Sequence, residues 1–388
     1  MPEPSSVLVV AGETSGERHA AGLIQALQAA GEDRFRFWGT GGPAMKAAGA
    51  EVLLDVSRLS AIGPIAAMRK LGNYLSLFRR LLVEAEQRRP RLAILVDFPD
   101  FNLPLARRLK RKGIPVCWFI APQVWAWRES RVKQIQRDVD LMLVILPFEE
   151  GFFRCRGVDA VYVGNPSAAR LSGAARKRER PPGRRPVLLL LPGSRSKEVE
   201  LILPVQLEAA ARVRESRDVD VWVLKAPEIA RVPLEERIRR WAHGRVPAPP
   251  AVTVQEGPAE EILPQADVAV VKSGTATLET MVAGVPFAMV YRIAWLSWYL
   301  LRPWVRTRTY CLANWVAGKQ VVPEFVQDEA DPPRIARYVL DLLDNPSRLE
   351  DARQRLLAAA AALGSHDAYT TAAEHIRSRF LDESECPR

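Results

Sequence analysis

Cysteine is scarce in this chain: Cys117, Cys155, Cys311 and Cys386 are the four present, and no two stand in CxxC spacing. That scarcity excludes a disulfide framework and a cysteine-built zinc centre, and leaves ordinary reduced thiols. Long apolar runs are missing as well. A bilayer-crossing helix needs about 20 consecutive apolar residues, whereas the N-terminal run from Val7 to Ala11 is only of strand length before GETSGERH interrupts it. No basic region precedes a long apolar core there, so no export signal is read and the cytosol is the expected compartment. The signatures of RRM, KH, zinc-finger and helix-turn-helix modules are absent, which argues against nucleic acid as a specific partner. No repeat of solenoid period occurs.

What is present points to an α/β protein of two domains. The 388 residues exceed what one hydrophobic core ordinarily supports. With 48% hydrophobic and 26% charged residues, each domain can bury a core. The net charge of +10 favours an anionic neighbour, such as a phosphorylated substrate or an acidic membrane leaflet.

Strand-length apolar runs alternate with segments of helical period: VLVVAG before GLIQALQAAG, LAILVDF before LPLARRLKRKG, VDLMLVIL before FEEGFFRCRG. Near-continuous Val, Ile and Leu in the strands implies parallel sheets covered on both faces. At 172–186, SGAARKRERPPGRRP is basic, apolar-poor and broken by prolines, and reads as an interdomain linker. A second strand series follows in VLLLLPGSRSKEVELILP, VDVWVLKA, VTVQEG, ADVAVVKSG and PFAMVYR. The expected organisation is two doubly wound, Rossmann-like domains, 1–171 and 187–345, facing across a cleft, with helices over 346–388 packing across them. Such sheets bind ligands beyond the carboxyl ends of their strands.

The strand-to-helix turns therefore carry the candidates. Gly12, Glu13, Thr14, Ser15 and Gly16 form the first. Unpaired amides at a helix start attract anions and hydroxyl-bearing ligands, and the same residues also suit a plain capped helix with Thr14 or Ser15 as N-cap. Asp97 directly follows a strand in ILVDFPDFN, where partial desolvation raises a carboxylate towards the range of a general base. Asp100 and Asn102 suit the turn and N-cap of the next helix. WFIAPQVWAWRES gathers Trp118, Trp125 and Trp127 near Arg128, either as core packing with a solvated cation or as an aromatic face for a sugar or acyl chain.

In the second half, LLLLPGSRSKE sets Gly193, Ser194 and Arg195 in the turn after a strand. Ser194 and the following amides can meet a phosphate, and Arg195 offers a bidentate cation to a departing diphosphate. Glu198 there favours the helix dipole. Ser273, Gly274 and Thr275 in VVKSGTATLE occupy the equivalent turn further along the sheet, so the two turns together form a diphosphate cradle. Glu279, one helical turn on, reads as a ribose-binding acid or as a surface carboxylate. Two further stretches mix apolar, aromatic and basic residues: 61–89, with Met68 on an amphipathic run, and 291–310, with three tryptophans and three tyrosines. Both suit a membrane headgroup region, with ordinary core packing as the other reading.

The ordered set VAGETSG, APQVWAWR, LLPGSR, SGTATLE and ANWVAGKQVVPEFVQ resembles the lipid A disaccharide synthases, glycosyltransferases of the two-domain GT-B fold, over most of the chain. The resemblance implies an inverting, metal-independent enzyme, peripheral to the inner membrane. It would join UDP-2,3-diacylglucosamine to 2,3-diacylglucosamine 1-phosphate and release UDP, with no cofactor beyond the UDP-sugar co-substrate. Catalysis would then fall to Asp97 as base, with Glu13 as a second catalytic candidate. The donor side would hold Gly193, Ser194, Arg195, Ser273, Gly274, Thr275 and Glu279, joined by Asn314, Glu324 and Gln327, which only the resemblance singles out. The acceptor or lipid side would hold Ser15, Met68, Trp125 and Arg128. The inner-membrane surface and a second copy of the chain are the implied partners.

Three positions of the first domain depart from the family pattern: Glu17 where aspartate is usual, Ala66 where a glutamate is usual, and Asn165 where histidine is common. The same fold also admits a UDP-N-acetylglucosamine 2-epimerase-like enzyme, which has no need of tryptophan-rich basic segments, and a catalytically silent, membrane-associated sugar-nucleotide binder.

Overall fold

The computed structural model describes residues 5–30, 35–55, 64–171, 183–244, 251–295, 298–299, 305 and 307–381. Most of the expected linker, 172–182, lies outside the described residues. The chain divides into two compact units: the first runs to Pro166 and resumes at His366, and the second spans Ser167–Ser365.

The first unit is built on a parallel sheet of seven strands: β1 (Ser5–Ala11), β2 (Phe35–Gly41), β3 (Glu51–Asp55), β4 (Leu92–Val96), β5 (Val116–Phe119), β6 (Leu141–Val144) and β7 (Ala160–Tyr162). Their spatial order is β3-β2-β1-β4-β5-β6-β7. The apolar runs explain this arrangement. In β1, Leu8 and Val10 join one core while Val7, Val9 and Ala11 join the other, on the opposite face. A strand buried on both faces needs helices on both sides. Helix α1 (Thr14–Ala29) supplies Leu23, Ile24 and Leu27 to one core. Helices α2 (Pro43–Ala47), α3 (Pro64–Arg88) and α4 (Pro99–Arg111) follow, and α3 and α4 supply Leu81, Leu105 and Leu109 to the other core.

The helix Ala368–Ile376 returns to this unit. Its N-cap Asp367 accepts from the Tyr369 and Thr370 N–H groups at 3.0 and 2.8 Å, and Ala372, Ala373 and Ile376 join the α1 core. The Tyr369 hydroxyl meets His19 Nδ1 at 3.0 Å.

The second unit repeats the plan with six parallel strands: β8 (Val187–Leu191), β9 (Asp220–Leu224), β10 (Val252–Gln255), β11 (Val268–Lys272), β12 (Phe287–Tyr291) and β13 (Glu324–Val326). Their order is β10-β9-β8-β11-β12-β13. Helices Ser196–Ser216 and Pro332–Asp344 cover one face, where Ile202, Leu203, Ile335 and Val339 meet Leu188 and Leu190. In each unit the strand order reverses once beside the first strand, between β1 and β4 and between β8 and β11. That reversal opens a crevice at the carboxyl ends of those strands, the place where doubly wound sheets bind ligands.

Candidate functional site

In the first unit the turns leaving β1 and β4 meet. Gly12 lies against the Phe98 ring, so that an added Cβ would sit 2.0 Å from it, and only glycine admits so close an approach. Asp97 and Phe98 both take left-handed backbone, with φ of 47° and 52°, a conformation that costs energy for such residues and persists only when its surroundings hold it. Three contacts hold it. The Asp97 N–H donates to Phe119 O at 3.1 Å, the fully buried Asn102 donates from Nδ2 to Asp97 O at 2.8 Å, and Phe98 stacks on Phe101 at 5.4 Å. Asp97 is thereby braced, half-buried, at the end of β4.

Local details differ from the sequence expectation. The N-cap of α4 is Phe98, because Asn102 is drawn inwards to the Asp97 carbonyl and Asp100 stays exposed as the ion-pair partner of Arg128 and Arg131. The N-cap of α1 is Glu13, whose side chain makes no capping bond. Glu13 is exposed and Ser15 follows it in the first turn. Burial, and then the Glu13 charge, push the nearby Tyr74 hydroxyl upward. Glu17 is 3% exposed, and its Oε1 accepts from Ala44 N at 2.5 Å and Met45 N at 3.4 Å. Glutamate at this position thus reaches across to the first turn of α2.

After β5 the chain passes Ile120 at φ 67°, an outlier for a β-branched residue, and enters the aromatic loop. Its tryptophans have separate fates. Trp118 is core. Trp125 is half-buried, packs edge-on against Phe148 at 5.0 Å and donates from Nε1 to Glu149 Oε1 at 3.0 Å. Trp127 lies at the surface under the Arg128 guanidinium, 4.4 Å from the ring centroid, and Arg128 itself takes φ 59° and meets Asp100 at 3.3 Å. Glu149 is buried; burial pushes its carboxyl up to about 7, against the pull of the Trp125 and Leu146 donors. Asn165, also buried, donates from Nδ2 to Ile145 O at 3.1 Å. The side chains of Met68 and Ala66 lie outside the described residues.

In the second unit, β8 and β11 each end in a turn whose glycine has positive φ, 115° at Gly193 and 147° at Gly274. Side chains resist both conformations, which is what the Pro-Gly-Ser and Ser-Gly-Thr sequences encode. The Ser273 N–H donates to Val290 O at 3.0 Å and its hydroxyl to Tyr310 O at 2.6 Å, while Thr275 is the exposed first residue of the helix Thr275–Val282. On the β8 side Glu198 does more than favour a dipole. Its Oε2 accepts from Ser194 N and Arg195 N at 3.3 and 3.4 Å, and its Oε1 from Lys272 Nζ at 2.9 Å. The amides expected to meet a phosphate are thus engaged by Glu198, while the Arg195 side chain is 67% exposed. Glu279 is not the surface carboxylate of the simpler reading. Burial raises its carboxyl, against the Arg170 charge and the Ser167 hydroxyl, which donate to Oε1 at 3.0 and 3.3 Å.

Asn314, Glu324 and Gln327 work one step back. Asn314 donates to Glu324 Oε1 at 2.7 Å and Val322 O at 2.9 Å, and accepts from the Val321 and Val322 N–H groups at 2.8 and 2.9 Å. Glu324 accepts from Tyr310 N at 2.7 Å and Cys311 N at 3.2 Å. The Tyr310 carbonyl in turn receives the Ser273 hydroxyl. Gln327 pairs both ways with the Ile293 backbone, at 3.0 and 3.2 Å. A cavity of about 650 Å³ adjoins this segment, and Trp298, Tyr310, Trp315, Arg308 and Lys319 are among its lining residues. Among the described residues no cluster of His, Cys, Asp or Glu is placed to hold a metal ion.

Sequence reasoning passed over Glu149, Gln206 and Lys272, and gave Asn102 only a capping role. Gln206 is fully buried and its Nε2 donates to Leu191 O at 3.2 Å and Val270 O at 2.9 Å, clamping β8 to β11 just before their turns. Its signal was available, as the one amide inside the apolar run LILPVQLEAAA.

Comparison with known proteins gives a consistent result. A family model described as lipid-A-disaccharide synthetase matches residues 7–376. The lipid-A-disaccharide synthase of Myxococcus xanthus (strain DK1622) is 40% identical over 382 residues, covering 97% of this chain and 98% of its own. Among solved structures, the UDP-GlcNAc 2-epimerase from Neisseria meningitidis, bound to UDP-GlcNAc, gives a TM-score of 0.67 at 12% identity over 96% of this chain and 100% of that one. The crystal structure of Acinetobacter baumannii MurG gives 0.59 at 15% identity, over 97% and 100%. Identities so low carry the fold alone: Rossmann-like α/β units of the GT-B type.

Proposed function

The chain belongs to the lipid-A-disaccharide synthetase family, and from that premise we propose the reaction that this glycosyltransferase runs. It joins UDP-2,3-diacylglucosamine to 2,3-diacylglucosamine 1-phosphate with inversion, forming the β-1,6-linked disaccharide and UDP. The first unit serves the acceptor. Asp97 takes the proton of the 6-hydroxyl as that oxygen attacks the anomeric carbon, while the bond from that carbon to the diphosphate oxygen breaks and UDP leaves. Glu13, Ser15, Trp125 and Arg128 stand on the same acceptor side. The second unit serves the donor: Arg195 and the Ser273 to Thr275 turn take up the charge that grows on UDP, and Glu279 Oε2 accepts from ribose. Asn314 and Glu324 position that turn through the Tyr310 backbone, and Gln327 holds the backbone at Ile293 on the same donor side. Fixed cations and turn dipoles supply the electrophilic assistance, so the reaction uses no metal and no further cofactor.

The acceptor's acyl chains also call for a membrane. Lifting them into water costs about 0.8 kcal/mol per CH₂. Trp295 and Tyr299, 72% and 67% exposed, together with the basic net charge, suit the headgroups of an anionic leaflet. No helix among the described residues is long and apolar enough to cross a membrane.

The observation that carries this reading is the pair of glycine turns closing β8 and β11 at the reversal of strand order with Arg195 beside them, an arrangement suited to a diphosphate. The test is turnover of UDP-diacylglucosamine with the monosaccharide phosphate, by wild type and Asp97→Asn. Wild type yields disaccharide and UDP. The variant loses about 100-fold or more in kcat, the range of a missing general base, with UDP affinity within a few-fold. Release of a free epimer, UDP binding without turnover, or an undiminished Asp97→Asn rate would each overturn the assignment.

A further inference from the structure

Two cations, Lys272 and Arg195, converge on the Glu198 carboxylate where the turns after β8 and β11 approach each other, Arg195 Nη1 lying 3.8 Å from Glu198 Oε1. Lys272 closes β11, and its ammonium lies 2.9 Å from Glu198 Oε1, with both side chains only 19% exposed. The other carboxylate oxygen receives the Ser194 and Arg195 N–H groups at 3.3 and 3.4 Å, longer than the roughly 2.7–2.9 Å of strong charge-assisted bonds. Gly193 leaves room for this, since a Cβ there would stand 2.6 Å from Oε2. On its other side the ammonium is 3.6 Å from where a Gly274 Cβ would be, which puts it at the second turn as well. An internal anion therefore sits on the turn amides and on an ammonium that lies at both turns, and its amide bonds are long enough to yield.

We propose that Glu198 is a built-in competitor of the donor diphosphate. An entering nucleoside diphosphate takes over the Lys272 ammonium and the two amides, and Glu198 gives them up. This rests on the donor-side reading above and adds to it a second phosphate cation, Lys272, and a resident carboxylate that opposes binding. The step exchanges ion pairs and makes or breaks no covalent bond. Its consequence is kinetic: a carboxylate poised to reclaim the cation weakens the hold on UDP and hastens product release.

The full chain is titrated with UDP and, as a probe without the diphosphate, with uridine. Lys272→Met loses about tenfold in UDP affinity, the size of one hydrogen bond to a charged group, and Lys272→Arg retains most of it. Glu198→Gln keeps an acceptor for the turn amides but not the charge, and gains about tenfold for UDP. Uridine binds all of them within about twofold of wild type, which also reports that the unit is folded. The inference is overturned if Lys272→Met binds UDP like wild type, if it weakens UDP and uridine alike, or if Glu198→Gln weakens UDP. A wild type that binds neither probe overturns the donor reading itself, and this inference with it.

Discussion

Asp97 and Glu149 are both carboxylates of the first unit, yet their surroundings give them different tasks. Asp97 is held in a left-handed bend at a strand end, half-exposed, whereas Glu149 is sealed in and bonded to the Trp125 indole. Burial moves the Glu149 carboxyl from its ordinary 4.5 to about 7. Between those two values the folded protein keeps a proton that the unfolded chain has released, so the stability this group contributes is present at the acid end and is lost as pH rises through that window. Glu149→Gln cannot titrate and still offers Trp125 an oxygen. Measured from about pH 4.5 to 7, the melting temperature of wild type should fall relative to that of Glu149→Gln. Parallel profiles for the two proteins would rule out this origin.

At the scale of elements, the turns are set by short local sequences and held by distant ones. Gly193 and Gly274 make their turns possible, but Ser273 is fixed through a relay in which Asn314 and Glu324 grip the backbone that ends at Tyr310. Asn314→Ala leaves the Val321 and Val322 N–H groups and a Glu324 oxygen short of a partner. Its expected cost is about 2–3 kcal/mol in chemical denaturation, with weaker UDP binding as Ser273 loosens. A loss below about 0.5 kcal/mol would show that the relay carries no load. Elements also explain two of the departures from the family pattern: Glu17 and Asn165 are each buried and bonded to backbone, so both are built into the first unit's framework.

For the whole molecule, the question is how the α/β architecture would meet the diacylated acceptor proposed for it. The expected answer is peripheral docking through exposed aromatics and positive charge. Trp295→Ser with Tyr299→Ser should sediment less with phosphatidylglycerol vesicles than wild type does, while UDP affinity is unchanged. Raising the salt should weaken wild-type binding as screening shortens the reach of its charge. Equal sedimentation of variant and wild type would take this surface out of the membrane interaction.

The sequence by itself determined the strand runs, the α/β class, the glycine turns and the five motifs whose resemblance is to the family the chain belongs to. These are legible because periodicity, turn conformation and motif spacing are local properties of a chain. The tertiary structure decided what each turn is bonded to. That Asn102 turns inward to brace Asp97 is a matter of packing, and that Gln206 clamps two strand ends and Glu198 pairs with Lys272 are long-range contacts. Lys272 and Glu198 stand 74 residues apart, and only the parallel pairing of β8 with β11 brings an ammonium on one strand end against a carboxylate in the helix that follows the other.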